Sequence, residues 1–222
     1  MGFFQILRSI EDLLYQVMTW LVFYPRTMWQ VIRHPVSMID YSDKEQGDTP
    51  EQQYIDTLSP PLFLLLTILL SHVIELGFQT RIDTPKEGLG RYLTNSEENL
   101  LILRSVLFSI YPLVFAVGML KRTGTALDTI SLRAPFFSQC YVGAVFALLM
   151  SIATILFRSG METMQWASLG LLLLTIIWYI SIQTEWFAQH LTVGRRRAAG
   201  IATLTFVKAS VINSALASLV LV

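Results

Sequence analysis

Apolar residues fill the stretch from Leu62 to Phe78 almost without a break, and four more such runs follow, at about Asn99 to Leu120, Pro135 to Phe157, Met164 to Glu185 and Ala198 to Val222. A hydrocarbon core roughly 30 Å thick takes about 20 mostly apolar residues at 1.5 Å each, and each run with its flanks supplies that length. The pattern therefore predicts five membrane-spanning helices. Thr94 and Glu97 form a T-x-x-E capping box ahead of the second, and Pro112 is expected to kink it near Tyr111.

The chain before Leu62 reads differently. From Phe3 to Tyr24 the apolar positions Ile6, Leu7, Ile10, Leu13, Leu14, Val17, Met18 and Leu21 follow the helical period, while Arg8, Glu11, Asp12 and Gln16 fall elsewhere. The uninterrupted apolar part is about a dozen residues, too short to span, so this amphipathic helix is expected in the headgroup region or under the bundle. Pro25 is suited to open a second short helix that His34, before Pro35, closes, with Arg26, Trp29 and Arg33 at the interface. Asp40 to Ser59 then turns acidic, with Asp40, Asp43, Glu45, Asp48, Glu51 and Asp56 set against Lys44 alone. It reads as a polar connector or as a dock for a cation or a partner protein.

The predicted fold class is all-α: a polytopic membrane bundle of five transmembrane helices preceded by amphipathic interfacial helices. Residues 1–59 form the cytoplasmic N-terminal region and 60–222 the transmembrane domain. Composition agrees, since 53% of the residues are hydrophobic and only 14% charged. A net charge of zero removes any global case for nucleic acid as a partner. One cysteine, Cys140, precludes an intramolecular disulfide and a cysteine metal cluster, and its apolar setting predicts a buried thiol. Bulky Tyr24, Pro25 and Arg26 stand where a signal-peptide cleavage site would need small residues, and Ile6 stands where N-myristoylation would need a hydroxyl.

Ionisable residues inside the apolar runs carry the candidate chemistry. Thr67, Ser71, Glu75 and Gln79 recur every fourth residue with His72 beside them, which puts them on one helix face. A charge at mid-bilayer costs roughly 2.5 to 3.5 kcal/mol on the mildest scale, so that face has to meet protein or a water-filled cavity. Counted from Leu62, Glu75 lies about 20 Å up, and Arg104 descends about 7 Å from the other side to a similar depth. Lys208 falls near mid-bilayer in the last run, level with His72. His72, Glu75, Arg104 and Lys208 are thus the candidate intramembrane cluster, as a substrate or proton path or as a structural salt bridge. Ser210, Ser214 and Ser218 form a candidate helix-packing face roughly opposite Lys208. Two polar faces on one helix predict a homo-oligomer or another membrane protein as partner, besides the lipid bilayer.

Basic residues set the expected orientation. With the N-terminus inside, the cytoplasmic flanks hold Arg8, Arg26, Arg33, Lys44, Lys121, Arg122, Arg133, Arg195, Arg196 and Arg197, against Arg81, Lys86, Arg91 and Arg158 outside. A bacterial inner membrane, N-terminus in and C-terminus out, is the expected location. No H-E-x-x-H, G-x-S-x-G or G-x-x-x-x-G-K-[ST] occurs, so neither catalysis nor a cofactor nor a metal is expected.

Three local pieces, Tyr24-Pro25-Arg26 to His34-Pro35, the Ser59-Pro60-Pro61 lead into the first span and the Gly-containing loop Lys121 to Arg133, occur in an order that resembles the Yip-type integral membrane family. That resemblance, over residues 24 to 222, implies a five-span membrane protein. It implies a role in vesicle trafficking with Rab GTPases, as in eukaryotic members, or a permease-like one, as bacterial relatives are called. The reading with most weight is a permease-like or transporter-accessory membrane protein; the alternative is a non-catalytic structural or assembly subunit, or a trafficking-type scaffold.

Overall fold

The computed structural model describes residues 3–49, 52–78 and 96–221, and within them every regular element is a helix. In chain order these are α1 (Phe3–Arg33), α2 (Pro35–Glu45), α3 (Pro60–Gly77), α4 (Glu97–Thr123), α5 (Thr129–Arg158), α6 (Glu162–His190) and α7 (Arg195–Leu221). Helices α3 to α7 are the five long and apolar enough to cross a membrane, in the order and nearly the bounds that hydropathy predicts. The chain is an all-α bundle and an integral membrane protein.

Local chemistry fixes the helix ends. Pro35 opens α2, and Pro60 and Pro61 open α3, where a missing N–H has no helical partner to lose. Asp128 caps α5 by accepting from the Ile130 and Ser131 amides at 2.9 and 2.8 Å, and the Ser131 hydroxyl accepts from the Asp128 amide. Helix α4 stops at Gly124, whose φ of 70° is open to glycine without a Cβ penalty. Its N-cap is Ser96, which accepts from the Asn99 amide at 3.2 Å, so Glu97 is the first helical residue rather than the third. Thr94 lies outside the described residues, as do Gln79, Arg81, Lys86 and Arg91.

Helix α5 is the hub. It packs against α2, α3, α4 and α6, and α7 closes a four-helix group by lying on α4 and α6. One core joins α2, α4, α5, α6 and α7 through Tyr111, Phe115, Phe146, Tyr179 and Phe187; the other joins α1, α3 and α5 through Val31, Phe63, Ile68, Tyr141 and Val145. In the first, Phe146 and Tyr179 meet at 4.6 Å between ring centroids, and Tyr111 lies 4.9 Å from Phe146. A Cβ at Gly143 would sit 2.7 Å from the Pro112 ring, so glycine is what lets α5 cross α4 at the proline. Cys140 is fully buried and free, and Gln139 and Gln183 bond to each other in the core.

The N-terminal region departs from expectation at two points. Helix α1 runs on through Pro25 instead of ending there, because its neighbours hold both sides of the proline: the Tyr24 hydroxyl donates to Thr67 at 3.1 Å and the Leu58 amide donates to Thr27 at 3.2 Å. Those contacts also set its direction. Val17, Trp20, Leu21 and Tyr24 line a groove with Leu66, Leu69, Leu70 and Val73, so this part of α1 climbs beside the middle of α3 rather than lying beneath the bundle. Farther along, Leu7, Ile10, Leu13 and Leu14 are exposed, an apolar stripe that the described chain leaves uncovered.

The acidic stretch is folded in part. Asp40, Asp43 and Glu45 belong to α2, which buries Ile39 and Ser42 against the bundle. Tyr54, at a left-handed φ of 56°, is held there by the Glu45 carboxylate on its amide and by Gln46 and Ser42 on its hydroxyl. Tyr141 ties the segment to α5 by donating to the Leu58 carbonyl at 2.8 Å.

Candidate functional site

The hydroxyls of the polar stripe on α3 satisfy themselves: Thr67 donates to the Phe63 carbonyl and Ser71 to the Thr67 carbonyl, four residues back in each case. His72 and Glu75, both buried, look elsewhere for partners. Helix α4 descends from the same end of the bundle and brings Arg104 onto both. One guanidinium nitrogen pairs with Glu75 Oε2, and the other lies 3.3 Å from His72 Nδ1. Nδ1 therefore accepts from arginine, and the ring proton sits on Nε2, 3.0 Å from Glu97 Oε2 but off the line of a hydrogen bond. Arg158, the last residue of α5, reaches Glu75 Oε1 at 3.6 Å.

The group is thus His72, Glu75, Arg104, Arg158 and Glu97, two carboxylates against two guanidinium groups with a histidine between them. Glu97 stands at the N-terminus of α4 and Arg158 at the C-terminus of α5, so each also complements its own helix dipole. Both were visible in the sequence as charges at the same end of adjacent runs. Their roles were not, because one reads as a cap and the other as a topology marker.

Below the cluster a cavity of about 240 Å³ runs toward mid-bundle, with Glu75, Arg104, Tyr111, Ser151, Thr154 and Asn213 in its lining. Asn213 Oδ1, from α7, has no hydrogen-bond partner among the described residues. The aromatic core closes the floor through Tyr111 and Phe146.

Lys208 is not part of this group. It is exposed on the outer side of α7, and among the described residues no ion pair reaches it. The face that α7 presents to the bundle is Ala198, Ala202, Thr205 and Ala209, all buried, at the small-residue spacing of close helix contacts. Of the serine series, Ser210 meets the Tyr111 hydroxyl at 3.3 Å, while Ser214 and Ser218 are exposed and Ser218 donates to the Ala215 carbonyl. The alanine run was as legible as the serine run, and it is the one that packs.

A second charge group lies at the opposite end of the bundle. His190 Nε2, at the end of α6, is 3.8 Å from both Asp40 Oδ1 and Asp43 Oδ2 on α2. Burial pushes the Asp43 carboxyl up to about 6, helped by the nearby Asp40 charge and opposed by the Ser138 hydroxyl and His190. No three His, Cys, Asp or Glu among the described residues are arranged to hold a metal ion.

The Asp43 shift has a testable sign. Its folded value lies above the ordinary 3.8, so the folded state holds the proton more tightly, and that advantage, full below about pH 4, is lost as the pH rises through 6. Asp43→Asn, which keeps the side chain neutral, is expected to raise stability at pH 7.5 by about 1 to 2 kcal/mol after discounting for partial exposure. At pH 4 it should change little. Thermal unfolding in detergent at the two pH values checks this, and an equal effect at both would refute the assignment.

Compared with protein-family models, with curated proteins and with solved structures, the chain matches none.

Proposed function

We propose that this chain is a non-catalytic assembly subunit of the membrane, a rigid helix bundle whose work is done through its lipid-facing helices. The observation that supports it is how the buried charges are spent: Glu75 binds two guanidinium groups, His72 lies between Arg104 and Glu97, and aromatic rings fill the middle of the bundle. Arginine gives up no proton in a working cycle, so a carboxylate held this way is a clamp between α3, α4 and α5 rather than a relay. A trafficking-type scaffold is one of the two roles that the Yip-type resemblance implies, beside a permease-like one. Native mass spectrometry of the gently extracted protein tests it: a stoichiometric membrane-protein partner is expected, and a bare monomer that small solutes stabilise would sink it.

A permease-like or transporter-accessory role is the second reading, favoured by the cavity beneath Arg104 and the unpartnered Asn213 carbonyl. It requires a polar solute that raises thermal stability in the wild type and loses that effect in Asn213→Leu.

The orientation follows from the basic end. Arg26, Arg33, Lys44, Lys121, Arg122, Arg133 and Arg195 to Arg197 gather where α2 meets α6 and where α4 ends, and that end is assigned to the cytoplasm. The triple arginine that opens α7 weighs most. A reporter inserted near Gly124 is expected on the cytoplasmic side and one fused after α7 on the opposite side; reports from the same side would mean the last helix does not cross.

A further inference from the structure

Lys208 is an ammonium on an apolar, uncovered helix face. Helix α7 is the least buried of the five spans, with 17% of its apolar window covered against 56% for α5. At 100° per residue, Leu204, Lys208, Val211, Ala215 and Leu219 form one stripe, and every member is exposed. Two observations fix its depth. Lys208 stands about 16 Å beyond Arg197 along the helix axis, and its near neighbour Ser210 meets Tyr111, close to the middle of α4. The half-thickness of the core is about 15 Å, more than a four-carbon stem can climb to reach either headgroup region.

A charge in that position needs a counter-charge at the same depth. A lipid phosphate does not reach it. A second copy of this chain offers none at that level among the described residues: Glu75 is bound by two arginines, Glu185 pairs with Arg195 at 2.9 Å, and Glu97, Glu98 and Glu162 stand at helix ends. The exposed Glu11 and Asp12 of α1 lie about 8 to 9 Å beyond Val17, toward the Glu75 end of the bundle, and the carboxylates of α2, Asp48, Asp56 and Asp128 lie toward the basic end. The structure assigns this face of α7 to a partner of definite chemistry. We infer that it docks a transmembrane helix of another protein that carries an Asp or Glu near its middle, with Lys208 as the charged anchor and the small Ala215 side chain allowing close approach. The inference rests on the assembly-subunit reading and names the kind of partner that reading requires.

The test uses donor-labelled full chain in phosphatidylcholine vesicles with acceptor-labelled leucine-alanine transmembrane peptides that carry Glu, Gln or Leu at the centre. Energy transfer should show the Glu peptide binding about tenfold more tightly than the Leu peptide. That preference should disappear in Lys208→Met, persist in Lys208→Arg and be blocked by Ala215→Trp on the same stripe. A Glu peptide no better than the Leu peptide, or an unchanged preference in Lys208→Met or Ala215→Trp, would overturn the inference. So would wild-type self-association that Lys208→Met abolishes, which would give the face to a second copy. A native partner still bound by Lys208→Met would sink this docking face and leave the assembly reading standing, whereas a chain without any stoichiometric partner sinks that reading itself.

Discussion

Glu75→Gln is expected to destabilise the protein by about 3 kcal/mol or more, because it leaves two guanidinium groups facing a neutral amide at the end of the bundle where α3, α4 and α5 meet. The Glu75 and Arg104 side chains are only 11% and 15% exposed, so solvent screens their interaction weakly. Arg104→Gln should cost less than Glu75→Gln, since Arg158 remains near the other carboxylate oxygen; at 34% exposure Arg158 alone replaces about 1 kcal/mol or less. Losing both Glu75 and Arg104 should cost less than the sum of the single losses, with a coupling of about 1 kcal/mol or more. Denaturant unfolding of the purified protein in mixed micelles gives the four corners of the cycle. Strictly additive losses would mean that the pair holds nothing together.

The same cluster shows what a sequence of this kind discloses. Run length and the rise per residue place a side chain along the helix axis, and that is enough to bring Glu75 and Arg104 together, with His72 beside them. Rotation about each helix axis is set by which face finds a partner, and hydropathy is nearly blind to it when every face is apolar. That is why Lys208 stands outside the group while Arg158 stands within it. On α7 the face turned to α4 and α6 is Ala198, Ala202, Thr205 and Ala209, although the serine series has side chains as small. Helix α1 departs from its expected bounds for a related reason. Its apolar length is short and Pro25 looks like a boundary, but Trp20, Phe23, Tyr24 and Met28 find apolar partners on the helices beside them, and packing outweighs the one hydrogen bond a proline removes.

Packing of that sort, rather than escape from water, is what holds the middle of the bundle. Lipid chains are as apolar as leucine, so burying an aromatic ring inside the bundle gains little by transfer, and its contribution is the contact it makes in the folded arrangement. Phe146 is 1% exposed and lies within 6.0 Å, ring centroid to ring centroid, of Tyr111, Tyr179 and Phe206, on three other helices. Phe146→Ala removes on the order of 100 Å³ from a site that Tyr111 and Tyr179 frame rigidly, and at about 24 cal/mol per Å³ of unfilled cavity the loss is roughly 2 to 3 kcal/mol. Leu173 on α6 is 59% exposed and meets no such frame, so Leu173→Ala should change stability by less than about 0.5 kcal/mol. Unfolding midpoints of the two variants in one detergent check the contrast. Equal losses would place the stabilising contacts at the lipid-facing surface, and a negligible loss at Phe146 would mean that the α4 to α7 group closes over the gap and is softer than its ring packing implies.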